Sequence, residues 1–135
     1  MSDCIFCKIA KGEIPSNKIY EDEDFMAILD IAPVNPGHTL VVPKIHCDDL
    51  INLPDDLAQK SILVIKKIVP AILKGVEAGG FNLTINHGVV AGQIVPHLHW
   101  HIMPRFPGDG WDLWHGKAYP EGEVDKVLEK IKNNI

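Results

Sequence analysis

The run His97-Leu98-His99-Trp100-His101-Ile102 constrains the fold more than any other stretch of the chain. Polar and apolar residues alternate strictly, and on a β-strand alternate side chains project to opposite faces. The run therefore predicts a strand from His97 to about Arg105. His97, His99 and His101 line one face, while Leu98, Trp100 and Ile102 enter the core. Neighbouring histidines on such a face stand on the order of 7 Å apart, too far to stack and suited to different atoms of one ligand. Each imidazole needs partners for two ring nitrogens, so this is a costly way to fill a half-buried face. A solvated stripe accounts well for one histidine and poorly for three in alternation. Metal ligation stays open, because His-x-His is a known ligand spacing, although one tetrahedral ion would not bridge all three.

The rest of the chain supplies a sheet to hold that strand. Cys4 to Ala10 predicts a short helix with Asp3 as its cap, ended by Gly12. Ile19-Tyr20 and Phe25–Leu29 predict two strands joined by the acidic turn Glu21 to Asp24, and Thr39–Pro43 a third, apolar enough to be central. A long helix is expected from Pro54 to about Ala78, with Asp55 and Asp56 complementing its dipole, a kink or break at Pro70, and Gly79-Gly80 as the stop. Phe81–Asn86 alternates as a fourth strand, and the glycine-bearing loop His87 to Gln93 leads to the fifth. Val124, Val127, Leu128 and Ile131 place a final helix over about Glu123 to Asn133. The expected architecture is α+β: a mostly antiparallel five-stranded sheet, one long helix over a face, and a C-terminal helix, in a single domain over residues 1–135.

Composition narrows the function. The 46% hydrophobic and 23% charged residues are those of a globular domain, and the 135 residues fit one core. No apolar run reaches the roughly 18 residues a membrane span needs, and a signal peptide is not expected, so neither is a membrane partner. The formal net charge of −5 argues against a nucleic-acid polymer as partner. An anionic ligand would need a local favourable field. With no secretion signal, a cytoplasmic location is expected, and the odd count of three cysteines speaks against a disulfide framework. Cys4-x-x-Cys7 alone is compatible with a metal site, a redox pair or two reduced thiols.

Taken together, these motifs resemble the histidine triad (HIT) family. His97-Leu98-His99-Trp100-His101-Ile102-Met103 is similar to its H-φ-H-φ-H-φ-φ signature. So, in order and spacing, are Cys4–Ile9, Leu29–Pro33, Gly37–Lys44, Asn86 and Gly92-Gln93. The closest likeness is to the bacterial and archaeal branch near the purine-nucleoside phosphoramidate hydrolases. The resemblance implies a HIT-like fold and a two-step reaction in which His99 attacks the α-phosphorus of a nucleotide and water releases the nucleoside monophosphate. Imidazole is largely neutral and nucleophilic near pH 7. It further implies that His101 contacts the phosphate or the leaving group, and that His38 is an additional active-site histidine. Asn86, Gly92, Gln93 and Ile94 would lie at the phosphate loop, and Asp30 at the ribose hydroxyls of a purine nucleotide such as AMP. Phe6, Ile9, Ile14, Ile28 and Ile31 would form the base pocket, although any one of them alone reads better as core packing; the alternative for Asp30 is a loop-entry residue capping backbone amides.

The resemblance also implies a structural zinc held by Cys4, Cys7, His46 and His97, a complete tetrahedral set. His97 would then face the metal while His99 and His101 face the substrate. Cys47 has no role in this scheme. A homodimer is implied, with Trp111–His115 reaching toward the partner's site. Ile94 departs from the pattern: many members carry Ser or Thr there, which removes a side-chain hydroxyl from the phosphate loop. Two rivals to the phosphoramidate reading stand: a dinucleoside polyphosphate hydrolase, and a nucleotide-binding regulatory module whose catalysis is incidental. A hexose-1-phosphate nucleotidyl transferase shares the zinc logic but needs a much longer chain.

Overall fold

Residues 3–135 are described by a computed structural model. A five-stranded sheet runs in the order β1-β2-β3-β5-β4, with strands Lys18–Glu21, Phe25–Leu29, Thr39–Pro43, Gly80–Ile85 (β4) and Trp100–Arg105 (β5). Every pairing is antiparallel. β3 is the middle strand and is buried along its whole length, as its unbroken apolar sequence requires.

Both sheet faces are covered, and the strands divide their side chains accordingly. Phe25, Ala27, Val41, Trp100 and Ile102 pack beneath the long helix α2 (Asp55–Val76), against Val64, Ile65, Ile68 and Ile72. Met26, Ile28, Leu40 and Val42 point the other way, onto Phe6 and Ile9 of the short helix α1 (Ile5–Ala10). β2 is apolar at every position because a helix lies on each side of it. At about 25 cal/mol per Å2 of apolar surface, the two layers together supply the main favourable term of the fold.

Helix ends differ from expectation. α1 begins after Cys4, which caps it without a side-chain hydrogen bond, so Asp3 is not its cap. Cys4 holds that position because its thiol points into the cluster described below. α2 runs unbroken through Pro70. It starts with Pro54 at the N-cap and ends at Glu77, whose φ of 57° is left-handed. The Ala78 N–H returns to the Leu73 carbonyl (3.0 Å). This closed C-terminus stops the helix before the Gly79-Gly80 pair is reached. A single turn of 3-10 helix, Val89–Ala91, sits in the loop between β4 and β5. A helix α3, Glu123–Lys132, closes the chain. Among the described residues, no helix is long and apolar enough to cross a membrane.

β5 starts at Trp100, not at His97. His97 to His99 precede the regular strand, although the Leu98 N–H still bonds the Cys47 carbonyl at 2.7 Å. The alternation nevertheless holds: Leu98, Trp100 and Ile102 enter the α2-side core. The departure from ideal geometry brings the His99 and His101 rings to 4.8 Å between centroids, closer than strand spacing implies.

Candidate functional site

His97 is fully buried, and its Nε2–H donates to the Pro43 carbonyl at 2.8 Å. That bond leaves the Nδ1 lone pair facing Cys4 Sγ (3.3 Å) and Cys7 Sγ (3.6 Å). His46 is arranged the same way: Nε2–H donates to Asp48 Oδ1 (2.8 Å), and Nδ1 faces Cys7 Sγ (3.4 Å). Ligand atoms of Cys4, Cys7, His46 and His97 all lie within 4.8 Å of one another. The edges of a zinc tetrahedron built from ordinary Zn–S and Zn–N bonds are about 3.6 Å, so these separations fit an ion at the centre. Burial, and then the neighbouring Cys4, raise the Cys7 thiol pKa. That raised pKa favours the thiol form, so the pair would ionise only beside a bound cation, for which two thiolates and two imidazoles are a complete ligand set. Asp48 orients His46 as outer partners of metal-bound histidines do. It was not singled out from sequence, although its spacing two residues after His46 could have marked it.

His99 turns to the other side. Its Nδ1–H donates to the His97 carbonyl at 2.8 Å, which leaves the Nε2 lone pair free. The Phe6 ring stands edge-on to both His97 and His99, at 5.6 and 5.1 Å. Phe6 therefore separates the two imidazoles that serve different ends.

His101 is the last link of a tautomer chain. The Val34 N–H donates to His38 Nδ1 at 3.0 Å, so the proton of neutral His38 resides on Nε2. That N–H donates to His101 Nδ1 at 3.0 Å, which places the His101 proton on Nε2. Burial, then the charges of His99 and His38, depress the His101 pKa to about 4. Burial likewise lowers that of His38 against the opposing pull of Asp30. Both rings are neutral near pH 7, and His101 Nε2–H is a buried donor with no protein partner. Asp30, His38 and His101 also form a close group, but a proton occupies the 3.0 Å gap between the two rings, which does not suit a metal ion.

Asp30 Oδ1 accepts the Ala32 N–H (2.9 Å), and Oδ2 lies 3.7 Å from His38 Nε2. The carboxylate thus caps its turn and keeps one oxygen toward the histidines. Phe6 and Ile9 on α1 and Ile28 on β2 beneath it are core residues, Ile14 is half-buried beside them, and Ile31 is 93% exposed. In the loop after β4, Gly92 has a φ of 92°, and a Cβ there would meet Asn86 Nδ2 at 3.6 Å. Gln93 Oε1 accepts the Gly88 N–H, while its Nε2 donates to the carbonyls of Asp48 and Val95. Gln93 braces the loop against the segment that carries His46. Ile94 is 92% exposed.

A cleft of about 680 Å3 opens on His38 and His101, walled by Asn86, Met103, Trp111 and Trp114. Its outer wall is fixed by a network that sequence reading missed. Asp109 accepts from Arg105 Nε (2.8 Å) and Nη2 (3.0 Å), from Asn35 Nδ2 (2.9 Å), and from the Phe106 and Trp111 amides. The Trp111 indole N–H then reaches the Val34 carbonyl at 3.1 Å. The residue whose amide orients His38 thus also anchors the tail.

A sheet of this topology carrying alternating, tautomer-fixed histidines beside a Cys/His cluster defines a class, and comparisons with known proteins give it a name. The HIT domain family matches residues 11–108. An uncharacterized HIT-like protein of Methanocaldococcus jannaschii is 48% identical over 96% of this chain and 98% of its own. An adenosine 5'-monophosphoramidase of Schizosaccharomyces pombe is 39% identical, with 98% of each chain covered. Among solved structures, SMU.412c from Streptococcus mutans superposes with a TM-score of 0.93 at 40% identity, covering 99% of this chain and 86% of that one. A Zn-bound histidine triad family protein from Mycobacterium smegmatis superposes with a TM-score of 0.77 at 36% identity, covering 99% of both. The chain belongs to the HIT domain family.

Proposed function

We propose that the protein is a nucleotide hydrolase that cleaves nucleoside phosphoramidates, or related adenylylated compounds, at the α-phosphorus through a nucleotidyl-histidine. The observation that carries this reading is His99, buried, with Nδ1–H tied to the His97 carbonyl and Nε2 left as a free lone pair. The phosphoramidase name of the S. pombe relative supports the substrate class.

In the first step His99 Nε2 forms a bond to the α-phosphorus as the bond to the leaving group breaks, and the leaving group departs with the electron pair. In the second, water attacks the phosphorus, the P–N bond to His99 breaks, and the nucleoside monophosphate is released with His99 restored. Splitting the displacement in this way is nucleophilic catalysis. His101 Nε2–H supplies a preorganised donor to a phosphate oxygen or the leaving atom, held neutral and aimed before substrate arrives. The Asn86–Ile94 loop brings its amides, with Gly92 permitting close approach. Asp30 offers its free oxygen to the ribose hydroxyls, and the apolar group around Phe6, Ile9, Ile14 and Ile28, with Ile31 at the rim, receives the base.

Cys4, Cys7, His46 and His97 would hold a structural zinc ion. The ion would tie α1 to the sheet and, through His97, fix the carbonyl that orients His99. A homodimer is the expected assembly.

The test is turnover of an adenosine phosphoramidate by wild type and by His99→Ala, with mass spectrometry of the acid-quenched wild-type protein. A mass increase of one AMP moiety on the peptide bearing His99, lost in the variant, is expected. Turnover retained by His99→Ala would overturn the assignment. Nucleotide binding without turnover in wild type would favour the regulatory module instead.

A further inference from the structure

The turn that leads into His38 buries a polar side chain. Asn35 is only 9% exposed, although Pro33 and Pro36 on either side of it are exposed. Its Nδ2 donates to the Pro104 carbonyl and to Asp109 Oδ2, both at 2.9 Å. A carbonyl and a carboxylate only accept, so the nitrogen of the side-chain amide faces them, not the oxygen. Both amide hydrogens are committed, one to β5 and one to the segment beyond it. Burying an amide is costly unless it is paired in this way. An apolar residue would fill the space without that demand, so the position is built for hydrogen bonding rather than for bulk.

The same residue closes the turn. Asn35-Pro36-Gly37-His38 has proline at its second position and Gly37, with a φ of 89°, at its third, and the His38 N–H bonds the Asn35 carbonyl at 3.1 Å. This is the pattern of a type II turn, whose third residue takes a positive φ. The turn is wedged in place: a Cβ on Gly37 would meet Val76 Cγ1 at 3.0 Å and Pro104 Cγ at 3.2 Å. Next to Asn35, Val34 gives its N–H to His38 Nδ1 (3.0 Å), and its carbonyl accepts from the Trp111 indole (3.1 Å). Asn35 and Trp111 thus clasp Val34 from two sides. Asp109 joins the two clasps, accepting from the Asn35 amide and from the Trp111 backbone N–H.

The place of a proton depends on that clasp. With the Val34 N–H on Nδ1, neutral His38 carries its proton on Nε2 and donates to His101. If the Val34 N–H turns away, His38 is free to carry the proton on Nδ1. Its Nε2 lone pair then faces His101 Nδ1, which must become the N–H, and His101 Nε2 changes from donor to acceptor. One displaced amide inverts both rings. We propose that Asn35 is a positioning residue for the His38–His101 pair: by pinning the turn to β5 and to Asp109 it aims the Val34 amide that decides both tautomers, with the Trp111 indole as the second clasp. Asn35 acts through Val34 and His38, not on the substrate. The inference deepens the hydrolase reading, and rests on it for the catalytic consequence of a misplaced proton but not for the placement itself.

The experiment is proton–nitrogen correlation NMR of the imidazole nitrogens in the full chain, at about pH 8 where the rings are neutral, beside steady-state turnover of an adenosine phosphoramidate. Wild type should show Nε2 protonated and Nδ1 unprotonated in both His38 and His101. Asn35→Ala should show the two tautomers exchanging in both rings, with kcat lowered about tenfold and KM little changed, as expected when a positioned donor loses its orientation. In a His38→Ala background, Asn35→Ala should cost no further activity, because the two residues act through one relay. Should Asn35→Ala fail to fold, Trp111→Phe at its half-exposed position keeps a ring, removes the indole N–H and is read by the same tautomers. Fixed Nε2–H tautomers in the variant would overturn the proposal, as would losses that add in the double variant. Exchanging tautomers with kcat unchanged would establish the placement and overturn instead the donor role given to His101.

Discussion

His38 Nε2 stands 3.0 Å from His101 Nδ1, and the Val34 amide on the far side of His38 decides which of the two carries the proton. His101 therefore presents N–H, not a lone pair, toward the substrate side. His38→Ala removes the donor and lets His101 adopt either tautomer. Positioned proton donors contribute on the order of 10^2–10^4 in rate, and loss of orientation forfeits part of this. The expected outcome is a fall of about tenfold or more in kcat with KM little changed, the pattern of an interaction made mainly in the transition state. His38→Gln, which can still donate toward His101, should recover part of the loss. Equal defects in both variants would mean that His38 acts through packing alone.

The Cys/His cluster makes a separate demand on stability. Cys7→Ser should bring bound zinc well below one ion per chain and lower the thermal midpoint by about 10 °C, the equivalent of roughly 3 kcal/mol in a domain of this size. Metal analysis beside calorimetry checks both. Because His97 contributes its ring to the cluster and its carbonyl to His99, chelation should also depress kcat. Full activity in a metal-free protein would separate the two halves of the site.

Asp109 has a side chain only 7% exposed and accepts from Arg105, Asn35 and two backbone amides. Its bonds to Arg105, then to the Trp111 amide, hold its pKa well below the usual carboxylate range. Asp109→Ala should lower the urea midpoint, because it releases Asn35 and the Trp111 amide, while Arg105 retains Asn82 Oδ1 and the Trp111 carbonyl. Urea denaturation at pH 7 measures it; a midpoint equal to wild type would show that this network is ornamental to the fold.

What could be read from the residues depended on whether the information was local. The five strands and the central place of β3 follow from apolar runs and turn residues, and the face assignment of Leu98, Trp100 and Ile102 from alternation alone. The spacing of Cys4, Cys7, His46 and His97 became a metal set only through a family likeness, since residues 93 positions apart carry no local sign of contact. The carbonyls of Pro43 and His97 and the amide of Val34 set the tautomers of His97, His99 and His38, and through His38 that of His101. A backbone carbonyl orienting His99 is what a nucleophilic imidazole calls for, but backbone groups have no sequence signature, so which carbonyl or amide serves each ring was illegible. Pro70 misled because it was read as a breaker, when a helix packed along its length tolerates one missing donor. Asp109 was passed over because a lone Asp between glycines reads as a turn.

Ile94 is the departure with the clearest functional consequence. It lies between Gln93, which braces the loop, and Val95, which packs beside the α1 cluster. Its own side chain is almost wholly exposed, so serine there sacrifices little packing. Ile94→Ser should leave the thermal midpoint within about 2 °C, since exposed substitutions usually change stability by less than about 0.5 kcal/mol. It should also raise turnover several-fold on substrates with poor amine leaving groups, by analogy with one added hydrogen bond of about 1 kcal/mol. Steady-state rates on a series of adenosine phosphoramidates of graded amine basicity are the measure. Unchanged kinetics across the series would remove residue 94 from the leaving-group side.

The buried histidines also fix how stability responds to acid. His101 has its folded pKa depressed to about 4, by burial first and then by the charges of His99 and His38, whereas in an unfolded chain histidine titrates near 6.5. Between those values the unfolded state binds the extra proton and the folded state does not. Stability is therefore fully present above about pH 6.5 and is lost as pH falls toward 4. The burial-driven depression of His38 acts in the same direction. Loss of metal would add to acid lability in wild type and variant alike, so the informative quantity is their difference. In His101→Asn the residue can still accept from His38 but no longer titrates. The urea midpoint of this variant should fall less steeply between pH 7 and pH 4.5 than that of wild type, with the two curves converging on the acid side. Parallel curves would show that His101 titrates alike in the folded and unfolded chains, which would overturn the depression of its pKa by burial.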